Sequence, residues 1–480
     1  IWVAKGTYYP DEENGQNTNN RSSSFIMRSG VKLYGGFAGG ETNISLRNWF
    51  VNKTYLSGDL LQNNTDYENA QFLNYDDNAY HVVRGENTNS TSVLDGFYIQ
   101  SGNANGTGEE DSGGGIYMSN STMTVVNCEV SFNHAYQGSG IYLLTSSPLI
   151  LNCYIKSNKA ISGGAGVYNN TNSSGYFYNC VFHSNQVGTT TPAGGGGGAI
   201  INFNNSSPDY VNCTISGNDA KTGGAIYNLN SANPIFYNTI IWNNKSELTP
   251  PVYTDGSSGI QYHHCLVQGL DLSASNGNLY GLLGYSPFVQ DVDLNQTPVA
   301  TGNLQLADCS LGIDRGGEFF DQPMDLIGNP RVVNNVIDLG AYELQNPAPC
   351  FRKLYVKWDA AGSNDGYSWE NACTKLQTAL AKARLLVASV QFQVEIWVAK
   401  GTYYPDEGGE LSNDDPIFPF FVTDSIGIYG GFAGTETSGE QSNWQLNPTI
   451  LSGEIQQDGD ISNNAYHVVA GFHVKKNAIL

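Results

Sequence analysis

Short bursts of alternating apolar and polar residues, each cut off by Asn, Ser or Gly, run along most of the chain. Residues 1–9 (IWVAKGTYY), 25–37, 54–59, 79–83 and 93–100 are rich in β-branched and aromatic side chains, and each predicts a short strand. Nothing in residues 1–345 sustains a helical period. In residues 113–244 the bursts fall into step. A glycine-rich phrase recurs as GGGIY (113–117), GSGIY (138–142), GAGVY (164–168), GGAII (197–201) and GGAIY (223–227). A second phrase lies between the copies: Asn127-Cys128 to Asn133, Asn152-Cys153 to Asn158, Asn179-Cys180 to Asn185, Asn212-Cys213 to Asn218, and Asn238-Thr239 to Asn244. Positions 128, 153, 180, 213 and 239 step by 25, 27, 33 and 26 residues. So short a period, held by two phrases, means one small unit repeated and stacked.

A coil of that length cannot bury a core alone. Stacked at about 4.8 Å per coil, every strand pairs with its copies above and below, which predicts an all-β fold, a parallel β-helix. Alternation sends Ile116, Ile141, Val167, Ile200 and Ile226 to one face, assigned inward, and Tyr117, Tyr142, Tyr168 and Tyr227 to the other, with Ile201 the exception. The glycines suit corners of positive φ or close backbone approach. Asn133, Asn158, Asn185, Asn218 and Asn244 are expected to stack as an amide ladder, and Cys128, Cys153, Cys180 and Cys213 as an inward column.

A second period is far longer. Residues 1–12 (IWVAKGTYYPDE) return unchanged at 396–407, and 34–39 (YGGFAG) at 429–434, both offset by 395. This divides the chain into a β-helix module at 1–345, read as lacking its N-terminal cap and ending in a β element at about 300–345, a linker at 346–353, and the start of a second module at 354–480. In the second module a cap strand and helix are expected within 354–390 and the first coils in 391–480. Ser368 suits an N-cap for a helix over 369–388, with Ala372, Leu376, Ala379, Leu380, Ala383, Leu386 and Val387 on one face. Such a helix would cover the open apolar end of a stacked array.

Composition narrows the functional classes. The 480 residues carry a net charge of −22, from 44 acidic against 22 basic side chains, which disfavours nucleic acid and anionic membranes as partners. The lack of an initiator Met makes the chain read as a piece of something larger, and no apolar run of eighteen residues predicts a membrane span.

The GGAI-type and F/I-x-x-N phrases resemble the repeats of bacterial polymorphic outer membrane proteins. The larger unit, from Tyr355 through Asp365-Gly-Tyr-Ser-Trp369-Glu-Asn-Ala372, residues 396–403 and residues 429–434, resembles the right-handed β-helix modules of very large secreted surface proteins of Bacteroidota-type bacteria. The resemblance implies a right-handed coil, export, cell-surface display and an adhesive or structural role, and it supplies no catalytic residues.

The remaining chemistry is sparse. Packing is the expected role of the cysteine column, although cysteines one coil apart could also form a metal or redox strip; Cys309, Cys350 and Cys373 are out of phase, and a Cys350–Cys373 disulfide is conceivable in an oxidising compartment. The tyrosine file offers a contact surface for sugars or a sister filament, against mere cross-coil stacking. Asp359, Asn364 and Asp365 form a loose calcium-like cluster that turn chemistry explains equally well, and calcium is the one cofactor admitted. His263-His264 reads as a coincidental pair, and Glu109-Glu110-Asp111 as a solvated turn. The expected function is a structural and adhesive segment of a long extracellular fibre on a bacterial surface. Its partners would be neighbouring modules of the same chain, a homo-oligomer or fibre, and a glycan or cell-surface ligand. The alternative is a carbohydrate-active β-helix enzyme or glycan-binding module, with Glu129 and Lys156 the residues to test.

Overall fold

The computed structural model describes residues 1–480 except 14–15, 18, 65–71, 189–194, 273–275, 280, 282–285, 299–301, 318–321, 347–350, 391–392, 409–413, 472–473 and 475–480, and without the side chains of 13, 16, 17, 351 and 388–390. The chain divides into two compact units, Ile1–Pro347 and Ala348–Leu480.

The first unit is a right-handed parallel β-helix with four strands to a full coil. In one coil these are Thr124–Val126, Glu129–Ser131, His134–Gln137 and Ile141–Leu144. Each pairs in parallel with its copy in the next coil, as in Val125↔Ile150, Val130↔Ile155, Ala135↔Ala160 and Tyr142↔Tyr168. Among the described residues the four faces so built hold nine, nine, six and eight strands. A right-handed turn is the sense in which a twisted strand returns to its own sheet.

Inside, apolar columns stack coil on coil. Ile116, Ile141, Val167, Ile200 and Ile226 are fully buried. On the first face Val125, Ile150, Phe177, Tyr210, Phe236 and Tyr262 share one column. The rings of Phe177, Tyr210 and Phe236 lie 4.8 and 4.7 Å apart, nearly parallel. Each buried aliphatic residue contributes about 1.5–3 kcal/mol of apolar burial, so the core is long and evenly distributed rather than centred.

Corners are fixed by residues that tolerate the left-handed region. Asn127, Asn152, Asn179, Asn212 and Asn238 have φ of 51, 52, 49, 52 and 47°, and His264 follows at 52°. Asparagine is favoured there because its short amide bonds the local backbone. At another corner, Gly138 (φ 58°) lies so close to the next strand that an added Cβ would be 2.9 Å from Cβ of Tyr142.

Past the coils, Phe288–Gln290 pairs antiparallel with Asn303–Leu306. This corrects the expected terminal β element at 300–345: among its described residues only Asn303–Leu306 is a strand, and the rest is turns with isolated bridges Met324↔Pro330 and Val333↔Val336. The physical reason is that carboxylates, rather than a neighbouring strand, satisfy this backbone. Asp325 accepts from the amides of Ile327, Asn329 and Glu343, Asp338 from those of Asp314 and Leu344, and Glu343 from those of Val333 and Asp338.

The second unit opens with Phe351–Val356, parallel to Gln393–Ala399, which is parallel in turn to Ile426–Phe432. The linker expected at 346–353 is therefore shorter, because Phe351 to Lys353 already pair with Gln393 to Glu395. The crossover between the first two strands is the helix α1, Leu376–Val390. It starts seven residues later than the expected 369, since Cys373 is held as a bridge to Val356 and the Asn364 side chain takes the Thr374 amide. Leu376, Ala379, Leu380, Ala383 and Leu386 form its buried face.

The opening strands of the first unit recur in the second. Trp2 stacks on Phe37 at 4.8 Å, and Trp397 on Phe432 at 4.7 Å. Glu41 receives the amides of Ala38, Gly39 and Gly40, and Glu436 those of Ala433, Gly434 and Thr435. No helix among the described residues is long and apolar enough to cross a membrane.

Candidate binding groove

The sequence-predicted columns are placed first. Asn133, Asn158, Asn185, Asn218 and Asn244 form one unbroken buried ladder: each Oδ1 from Asn158 on accepts both the backbone amide and Nδ2 of the preceding rung, at 2.8–3.2 Å. Cys128, Cys153, Cys180 and Cys213, with Cys265, are buried free thiols. Their Sγ atoms donate to the carbonyls of Val126, Leu151, Tyr178, Val211 and His263, two residues back, at 3.1–3.4 Å. Thr239 makes the same bond to Tyr237 at 2.9 Å, which explains why threonine fits this column. Burial pushes the Cys128 and Cys180 thiols well up and Cys265 to about 12, so these three are protonated packing groups.

Two expectations are corrected. Tyr117, Tyr142 and Tyr168 are not a contact surface: they are 1, 7 and 8% exposed, Tyr117 stacks on Tyr142 at 5.7 Å and Tyr142 meets Tyr168 tilted at 5.4 Å, and Tyr227 is half-buried. The glycine corners lie against these rings, and His81 closes the end of the file 5.0 Å from Tyr117. The Cys350–Cys373 pairing also fails, because Cys373 is a free buried thiol while Cys309 is in a disulfide; Cys350 lies outside the described residues.

Of the calcium-like cluster, Asn364 caps the Thr374 amide, Asp365 accepts from the Tyr367 amide and the Ser363 hydroxyl, and Asp359 lies 3.6 Å from Lys357. Among the described residues no three His, Cys, Asp or Glu are gathered as a metal site. His263 stacks on Tyr237 while His264 bonds the Arg315 carbonyl, so the pair is divided. Glu109 pairs with Arg84, and Glu110 accepts from Ser22.

The recessed surface of the first unit lies elsewhere, at the corner carrying the left-handed asparagines. The carboxamides of Asn127, Asn152 and Asn179 form a second, outer ladder: Asn152 Nδ2 donates to Asn127 Oδ1 at 3.3 Å, and Asn179 Nδ2 to Asn152 Oδ1 at 3.2 Å. Both ends of this ladder are tied to loops. At one end Asn127 donates to Asp95, which is paired with Arg47 at 2.5 Å. Next to Arg47, the Asn48 side chain accepts the amides of Phe50 and Val51 and so fixes the Trp49-Phe50 tip. At the other end Asn179 Nδ2 donates to the Met324 carbonyl at 3.0 Å. Beyond it the segment around residues 314–344 covers the corner, with the Gly317 amide on Asn238 Oδ1 and the Ala341 amide on Thr214 Oγ1. Asn127 and Asn152 stay open between the two walls.

Two connected hollows result, of about 300 and 410 Å³, sharing Trp49, Phe50, Asn127 and Asn152. Tyr98, Tyr154, Glu129, Lys156 and His183 line the smaller, and Met324 to Gly328 wall the larger. Glu129 and Lys156 lie 3.1 Å apart and neutralise each other. Burial, with Lys156 beside it, lowers His183 to about 3, so its imidazole is neutral near pH 7. Burial also raises the Tyr98 and Tyr154 phenols, which stay protonated. The groove therefore offers aromatic faces and uncharged hydrogen-bonding groups.

The covering segment has its own buried charge. Arg331 is fully buried, with Nη2 on the carbonyls of Asp338 and Gly340 at 3.2 and 2.6 Å. Burial raises Asp338 to about 6 and Glu343 to about 8, the latter helped by the Asp338 charge.

Neither the outer ladder nor the walls were among the sequence-predicted sites. Of the groove lining, the sequence singled out Glu129 and Lys156, and a further signal was the asparagine preceding each cysteine, whose own column is the groove floor.

No family model matches the chain, and no curated protein matches it. Among solved structures it is similar to the crystal structure of pectate lyase Pel9A, at 12% identity and a TM-score of 0.38, over 72% of this chain and 87% of that one.

Proposed function

We propose that the chain is a structural and adhesive segment of a long extracellular repeat protein or fibre on a bacterial surface. The observation that carries this reading is the recurrence of the opening strands of the first unit within the second, down to single side-chain bonds. Tyr8 bonds the Ala4 carbonyl as Tyr403 bonds that of Ala399, and Thr54 receives the Gly36 amide as Thr449 receives that of Gly431. Repetition on this scale multiplies length and the number of contact sites, which an adhesive rod needs and a single catalytic centre does not. The buried ladders serve the same end, since every coil is tied to the next by side chains as well as by backbone. Within this reading α1 closes the apolar end of a module, and neighbouring modules are its first partners.

The second reading, a carbohydrate-active enzyme, is favoured only by Glu129, Lys156 and His183 gathering in the groove. The Lys156 ammonium is already paired, and a hydrolase needs two available carboxylates, whereas the oxygens of Asp325 are taken by three backbone amides. Depolymerisation assays on acidic and neutral polysaccharides, with Glu129→Gln and Lys156→Met variants, separate the readings. Turnover abolished by either substitution would overturn the adhesive proposal. Electron microscopy of the parent assembly is expected to show a fibre with a regular axial repeat, and a discrete particle counts against it.

A further inference from the structure

The geometry points to an uncharged oligosaccharide as the ligand of the groove between Trp49-Phe50 and Met324 to Gly328. The floor is made of carboxamides with capacity to spare. Asn127 and Asn152 each use one N–H and accept one hydrogen bond along the ladder, leaving a second N–H and a second lone pair at half-buried, open positions. Where the same column is covered, it shows what it recognises: Asn179 takes a carbonyl and Asn238 takes an amide, both neutral groups. The open rungs offer that chemistry at the spacing of successive coils, about 4.8 Å.

Charge disfavours an anionic ligand, and the remaining groove carboxylate, Asp325, spends its oxygens on the amides of Ile327, Asn329 and Glu343. Glu129 and Lys156 cancel, the Asp95 carboxylate is held by Arg47 and Asn127, and His183 is neutral. Among the described groove residues an anionic chain would meet no cation that is not already paired, and it would face a net charge of −22 over the molecule. The aromatic groups then choose among neutral ligands. Phe50 is 44% exposed at the rim, Trp49 is 5.4 Å from it, and Tyr98 and Tyr154 lie along the wall. Sugar rings present C–H faces to such aromatics and hydroxyls, both donor and acceptor, to the carboxamides. An extended peptide finds less, because the strand beneath, Glu129–Ser131, is paired on both sides and offers no free backbone edge.

This deepens the adhesive reading and rests on it for its place on the cell surface, but the two fail separately. Calorimetry on the full chain should use neutral hexasaccharides of β-1,4-glucan, β-1,3-glucan and α-mannan, an oligogalacturonide, and a Gly-Ser-Asn peptide. Saturable binding of at least one neutral hexasaccharide is expected, weakened about tenfold by Trp49→Ala and by Phe50→Ala. Phe50→Ala alters an exposed side chain and leaves the unfolding midpoint in place, so a folding defect cannot imitate the result. Failure of every neutral hexasaccharide at millimolar concentration, binding indifferent to both substitutions, or tighter binding of the oligogalacturonide or the peptide each overturns the assignment. A positive result on a chain that forms no fibre would keep the groove and discard the rod.

Discussion

Replacing Asn158 by alanine tests whether the inner ladder holds the coils together or merely fills space. Asn158 Oδ1 accepts the Asn133 amide and Asn133 Nδ2, both at 3.1 Å, and its Nδ2 donates to the Val130 carbonyl at 2.9 Å and to Asn185 Oδ1 at 3.0 Å. Asn133 Nδ2 keeps the carbonyls of Ile99 and Ser131, and Asn185 Oδ1 keeps the Asn158 amide, so those groups are not stranded. The Val130 carbonyl stays in the ladder of a strand paired on both sides, whereas the Asn133 amide loses its partner inside a region closed to water. At about 1–3 kcal/mol for a buried group left unsatisfied, Asn158→Ala costs about 1–3 kcal/mol. The measurement is a urea unfolding series, with hydrogen exchange on the segments around residues 130 and 158 to localise the effect, because a long repeat array need not unfold in one step. Tyr136→Ala, at a 41% exposed site in the neighbouring coil, is the control and should stay within about 0.5 kcal/mol. An Asn158→Ala midpoint equal to that of the control, with unchanged exchange at residues 130–133, would refute the reasoning.

Thr239→Cys should be nearly neutral in the same assay, because a thiol makes this bond in five other coils. Thr239→Val removes the acceptor of the Cys213 amide and should cost about 1–3 kcal/mol. Gly140→Ala should destabilise by about 1–3 kcal/mol or more, since its Cβ would lie 2.4 Å from the Gly166 carbonyl oxygen of the next coil. The covering segment predicts a pH dependence. Glu343 and Asp338 have folded-state values near 8 and 6, above their ordinary 4.5 and 3.8, so the folded state holds protons that the unfolded chain releases. Their contribution is full below about pH 4 and is lost as pH rises through 6 and 8, with exchange rising at residues 326–344. His81, His134 and His183, lowered to about 4, 4 and 3, act in the opposite sense. Their contribution is full above about pH 6.5 and is lost on acidification, in the coils rather than the covering segment. A Glu343→Gln variant that keeps the full alkaline loss would refute the assignment to that carboxyl.

The coil was legible because each of its corners demands particular residues: glycine where the backbone meets a ring, asparagine where φ is positive. The inner asparagine and aliphatic positions follow from those phrases by alternation alone. Alternation failed for Tyr117, Tyr142 and Tyr168, since pointing away from the core is not the same as reaching water; the neighbouring glycine corners fold over the rings. The start of α1 was misplaced because Ser368 has the chemistry of a cap, yet its hydroxyl only takes the Asn371 amide while the chain to Cys373 is held by the sheet. The groove was least legible of all. Its walls are separated from its floor by some 80 and 200 residues, and Trp49, Phe50 and Met324 to Gly328 follow no period. What brings them together is a line of hydrogen bonds from Arg47 through Asp95 and three asparagines to a backbone carbonyl.

The distance from the cysteine column to the inner asparagine column is five residues in every coil, whereas the full coil varies from 25 to 33. All length variation therefore falls outside the segment that carries the two ladders, and the longest coil takes its extra residues between Val187 and Gly197. One side of the rod thus works as a ruled spine on which every coil is in register. The other side is free to lengthen, shorten and diversify without a change of frame.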